Sequence, residues 1–95
     1  MTNASKFKKI VEEYNPNVQL LQGLDRYIVS ATINQDKIQV FYSLWGVINE
    51  LMIRKQLSYD DCLKEIIQIV QKANEVKKCD ITYYFIEDLP NHELN

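Results

Sequence analysis

Glycine and proline are scarce in this chain, two of each in 95 residues. That shortage argues against long irregular loops and excludes a glycine-rich phosphate cradle, since neither GxGxxG nor GxxxxGK[ST] can be assembled. Histidine occurs once, as His92, close to the final residue, so a Cys-His nucleophile would need that end to fold back on a thiol. Cysteine occurs twice, as Cys62 and Cys79, without CxxC spacing, and the pair reads as reduced thiols rather than a disulfide framework. Arginine is limited to Arg26 and Arg54, although arginine carries most bidentate recognition of bases and phosphates. No apolar run follows the lysines of "MTNASKFKK", so neither a secretory leader nor a membrane helix is expected, and the expected location is cytoplasmic.

What is present suits one domain spanning residues 1–95. Apolar residues make up 46 % and charged residues 25 %, with a formal net charge of −2. This is the balance of a soluble globule with an ordinary core. It lacks the basic excess of a dedicated nucleic-acid binder. Abundant Ile, Asn and Lys beside few Arg, Gly and Pro is a composition typical of AT-rich bacterial or phage genomes.

Residues 4–14, "ASKFKKIVEEY", place Phe7, Ile10, Val11 and Tyr14 at helical spacing, and Pro16 stops the run. Lys6, Lys8 and Lys9 crowd the positive end of that helix, while Glu12 and Glu13 sit at the negative end. Packing, rather than intrinsic propensity, must hold it; the alternative reading turns the lysines toward an acidic partner. "NVQLLQG" reads as a short extended segment.

The clearest strand signal is "YIVSATI-NQDK-IQVFYS". A four-residue polar loop pairs Ile33 with Ile38, Ala31 with Val40 and Val29 with Tyr42 on one apolar face. Thr32, Gln39, Ser30 and Phe41 fall on the other. A single long helix from Asp36 competes over residues 36–45, because Ile38, Phe41, Trp45, Ile48 and Met52 also fit a helical stripe; the hairpin is preferred.

Ser43 then caps a helix carrying Leu44, Trp45, Val47, Ile48, Leu51 and Met52 on one face, with Gly46, Ile53 and Leu57 opposite. Ser58 and Asp61 begin a third helix running to about Lys77, its stripe including Cys62, Ile66, Val70 and Ala73. "CDITYYFI" reads as a last strand. Residues 88–95 follow as a flexible acidic tail. The predicted class is α+β, in the order α-β-β-β-α-α-β, with an antiparallel sheet packed against helices.

Chemistry is thin. Cys62 lies on a buried stripe, where a thiol acts as a small hydrophobe. Asp60 and Asp61 are explained as first-turn charges. Glu87, Asp88, His92 and Glu93 follow no metal-ligand spacing. The sequence thus predicts no catalysis, no cofactor and no metal.

The expectation is a small cytosolic protein-interaction module: an immunity protein, antitoxin, phage-encoded inhibitor or regulatory adaptor. Partner-binding candidates are Ile53 and Leu57, on the wrong side of their helix, and Tyr84, Ile86, Glu87 and Asp88 around the last strand. Tyr84 and Ile86 count only if the first helix leaves their face uncovered; the preferred reading makes that strand core. The partners expected are a protein or a second copy of the chain, with no membrane.

The alternative is a dimeric nucleic-acid-binding regulator. "SLWGVINELMIRKQLSYDDCLKEII" has the outline of a helix-turn-helix, yet Asp60 and Asp61 would meet phosphate where a recognition helix enters the groove. A third reading, a small-molecule-binding subunit, needs a concave pocket with convergent polar groups.

Overall fold

In a computed structural model, which describes residues 3–87, the hairpin forms as its two apolar faces require. Strands β1 (Ile28–Asn34) and β2 (Lys37–Ser43) are antiparallel, with Ile33 opposite Ile38 and Ala31 opposite Val40. Asn34 also pairs with Lys37, so the loop is two residues rather than four. Gln35 and Asp36 both take positive φ, 51° and 69°. This is the mirror-image turn whose twist matches that of the strands. The register slips between Ile28 and Ser30: Ile28, rather than Val29, faces Tyr42, and Val29 is the extra residue of the bulge.

Helix α1 (Asn3–Tyr14) precedes the hairpin and lies along β1. Its buried residues are Ala4 and Val11, with Phe7 half-buried and Ile10 and Tyr14 exposed at the flanks. The misplaced lysines are partly neutralised locally. Lys8 Nζ lies 2.8 Å from Asp25 Oδ2, and this hydrogen bond and charge raise its pKa.

Residues 15–24 form no strand, contrary to the extended segment read from "NVQLLQG". Leu21 and Leu24 are fully buried, but the backbone is held by local turns (Val18 N–H to Asn15 C=O, Leu24 N–H to Leu21 C=O) and by side chains instead of a ladder. Leu21 N–H donates to the hydroxyl of Tyr42 at 3.1 Å, and the hydroxyl of Tyr83 donates to the carbonyl of Gln19. A short 3-10 turn, Asp25–Tyr27, leads into β1.

Ser43 ends β2 and caps α2 (Leu44–Lys55), its Oγ accepting from Gly46 N–H at 3.0 Å. Val47, Ile48 and Leu51 are buried, while Trp45 and Met52 sit at the exposed margin of the stripe. Gly46 is required by a neighbour: a Cβ there would stand 2.5 Å from Cδ1 of Tyr27. The Tyr27 ring is tied down by its hydroxyl, which donates to Glu50. That hydrogen bond, together with Arg54, holds the Glu50 carboxyl below its usual range.

Gln56 takes the left-handed conformation and ends α2. Helix α3 (Tyr59–Val76) starts at Ser58, whose Oγ accepts from Asp61 N–H. Cys62, Ile66 and Ala73 are its buried residues, and burial raises the Cys62 thiol pKa.

Strand β3 (Ile81–Ile86) then joins β2, and its direction corrects the sequence reading. The pairing is parallel, Ile38 with Ile81 through Ser43 with Ile86, so the sheet is mixed with order β1-β2-β3. The connection through α2 and α3 is long enough to return the chain to the starting end of β2, as a parallel neighbour requires. The class is α+β as expected, in the order α-β-β-α-α-β. The core lies between the helices and one sheet face, where Ile38, Val40, Tyr42 and Ile81 are buried. The expected acidic tail, 88–95, lies outside the described residues.

Candidate functional site

Strand alternation puts Ile81, Tyr83 and Phe85 on the core side of β3 and leaves Thr82, Tyr84 and Ile86 on the other. The reading of the whole strand as core requires the first helix to cover this second face. Instead, α1 contributes Ala4, Phe7 and Val11 to the same core as Ile38 and Val40. Tyr84 stays 40 % exposed and Ile86 39 %.

The parallel register sets Phe41 beside Tyr84. Their rings stack with centroids 4.9 Å apart and planes inclined by 15°. This offset geometry suits two aromatic quadrupoles and limits the freedom of both rings before anything binds. A polar row crosses the same face. Thr32 Oγ1 donates to Gln39 Oε1 at 2.8 Å, and Gln39 Nε2 reaches the Tyr84 hydroxyl at 3.5 Å. Among the strand residues on this face, Lys37 at the start of β2 is the one Asp, Glu, Lys, Arg or His; Ser30, Thr32, Asn34, Gln39, Phe41, Thr82, Tyr84 and Ile86 make up the rest. The surface is therefore amphipathic and charge-poor across three strands, with Lys37 at one end of it.

Trp45 and Tyr59 make a second exposed aromatic pair, with centroids 6.3 Å apart. Trp45 stands two residues beyond Ser43, the β2 neighbour of Ile86, so this pair belongs to the end of the sheet where β3 finishes.

The other sequence candidates separate. Ile53 is 72 % exposed on α2, whereas Leu57 is half-buried against the core, so the two do not form one strip. Glu87 is exposed directly after β3, and Asp88 lies outside the described residues. The sequence reading missed the Phe41–Tyr84 stack, although both residues were assigned to this face, because pairing of β3 with β2 could not be read from either strand.

A cavity of about 430 Å³ opens between residues 19–24, the end of α2 and α3. Leu24, Leu51 and Ile69 line it together with Arg54, Lys55 and Lys72. Arg54 and Lys55 are committed to Glu50 and Glu65 respectively. Among the described residues no group of three or more His, Cys, Asp and Glu could hold a metal ion, and no helix is long and apolar enough to cross a membrane. No protein-family description, curated protein or solved structure matches this chain.

Proposed function

We propose that this chain is a small non-enzymatic protein-interaction module that acts by occupying a partner protein's surface. An immunity protein, antitoxin, phage-encoded inhibitor or regulatory adaptor would work in this way, in the cytoplasm. The stacked pair of Phe41 and Tyr84 on the uncovered sheet face carries the reading. Interfaces concentrate their energy in aromatic anchors at a charge-poor centre, where one truncated side chain costs ~2 kcal/mol or more. Here Tyr84 and Ile86 supply the anchors, Thr32 and Gln39 supply neutral hydrogen-bonding groups, and Glu87 stands at the rim. Ile53 lies on α2, away from this arrangement, and serves as a second contact only for a partner that wraps around the domain.

A sheet face bearing stacked aromatics also suits single-stranded nucleic acid, whose bases stack on such rings. That second reading is weaker because, of the strand residues that alternation puts on this face, Lys37 at the start of β2 is the single cation available to meet the phosphates.

Tagged chain recovered from cells that encode it tests the proposal. A stoichiometric protein partner retained by the Ile67→Ala variant and lost by Tyr84→Ala and Phe41→Ala supports it. A partner indifferent to both face variants overturns it, as does salt-sensitive binding of single-stranded oligonucleotides without any protein partner.

A further inference from the structure

We propose that the free edge of β3 pairs antiparallel with β3 of a second copy, about a two-fold axis at Tyr83, joining two sheets into one of six strands. Among the described residues β3 is the last strand of the sheet and is paired on one side only. Ile38 N–H donates to the carbonyl of Asp80, so Asp80 faces β2. Alternation then turns the N–H and C=O groups of Ile81, Tyr83 and Phe85 toward the free edge. Lys77 Nζ donates to the Ile81 carbonyl at 3.1 Å, which fits that direction.

The two edges of the sheet differ in protection. β1 carries the bulge at Val29 and has α1 alongside, with the Tyr14 hydroxyl bound to Asp36 at 2.7 Å. Edge strands commonly avoid unwanted pairing by bulges, prolines or charges. The β3 sequence "ITYYFI" contains no proline, glycine or charge and shows no register shift against β2. Lys77 Nζ reaches this edge at Ile81 only, and that carbonyl has a second lone pair for Phe85 N–H of the other copy.

The ends of this strand identify the occupant. Lys77 and Lys78 precede it, and Glu87 and Asp88 follow it in the sequence. A parallel strand of the same kind would set like charges side by side. An antiparallel copy centred on Tyr83 brings Cys79 opposite Glu87, so the flank of residues 77–80, net positive because Lys77 and Lys78 outweigh Asp80, lies beside the acidic end of the other strand. In the same register Ile81 faces Phe85, and Thr82 faces Tyr84 on the open face. A two-fold operator makes every such contact twice and closes the assembly at two chains. This inference stands apart from the partner proposal: it uses the backbone edge of β3, and its readout needs no other protein.

Charge reversal at the exposed positions 82 and 84 tests it by sedimentation velocity over a concentration series of the full chain. The wild type should pass from one chain to two as concentration rises. Thr82→Lys/Tyr84→Lys and Thr82→Glu/Tyr84→Glu should each remain single chains, and their equimolar mixture should regain the two-chain species. Thr82→Lys/Tyr84→Glu, which sets opposite charges face to face, should also dimerise. Unchanged circular dichroism shows that each variant has folded. A wild type that stays monomeric throughout, a like-charged variant that dimerises as the wild type does, a mixture that stays monomeric, or growth beyond two chains overturns the proposal.

Discussion

Tyr84 stacks on Phe41 across the β2–β3 boundary, 4.9 Å between ring centroids, on the sheet face opposite the core. A pair of this kind contributes to the sheet but does not carry the fold. Tyr84→Ala should lower stability by only ~0.5–1 kcal/mol in urea denaturation, the range of a cross-strand aromatic pair. Truncating the fully buried Leu51 should cost ~2–5 kcal/mol. Equal losses at the two positions would mean that the Tyr84 face is packed in solution.

Tyr42 is one of two tyrosines, with Tyr83, whose hydroxyls anchor residues 15–24. Its hydroxyl accepts the buried Leu21 N–H, so Tyr42→Phe strands that donor without changing the packing of the ring. The expected loss is ~1–3 kcal/mol, the cost of a buried unsatisfied donor. Amide exchange at Leu21 should accelerate by more than global unfolding accounts for.

Gly46 lies under the Tyr27 ring, and alanine there has to displace it. Gly46→Ala ordinarily gains ~1 kcal/mol of helix propensity. Here overpacking of ~1–3 kcal/mol opposes that gain, and the net change should be destabilising. Tyr27→Ala combined with Gly46→Ala should restore the normal preference, so that alanine at 46 is stabilising in the double variant.

Alkali should unfold the protein earlier than ordinary tyrosines would allow. Burial pushes the Tyr83 hydroxyl up to about 12 and that of Tyr42 well above its ordinary value of 10. Between those values the unfolded chain has released protons that the folded chain retains, so stability falls as pH rises. The contribution is fully present below pH 10. Tyr83→Phe should flatten the decline in denaturation midpoint between about pH 10 and 12.

The hairpin was legible because Ile33, Ala31, Ile38 and Val40 agree on a face in both strands, and a slip of one residue would break that agreement. The bulge was not, because Ile28 and Val29 are equally suited to the buried position opposite Tyr42. The direction of β3 was hidden for a different reason: alternation of Ile81, Tyr83 and Phe85 is the same read forward or backward. Val18, Leu20 and Leu21 within "NVQLLQG" resemble a short strand because they are apolar, yet hydroxyl groups 21 and 64 positions away in sequence help to hold this segment's backbone. Tyr84 was recognised as one of two side chains that decide between core and surface, and the answer depended on where α1 packs.

A photo-cross-linking amino acid placed at Tyr84, compared with the same residue at Ile67 on α3, tests the central claim most directly. Irradiated in cells that encode the protein, the chain labelled at 84 should yield one dominant adduct with a different protein, separate in mass from any adduct with a second copy of the chain, and the chain labelled at 67 should not. Adducts from position 67 with none from 84, or with the same partner equally from both, would contradict a binding surface centred on the open sheet face.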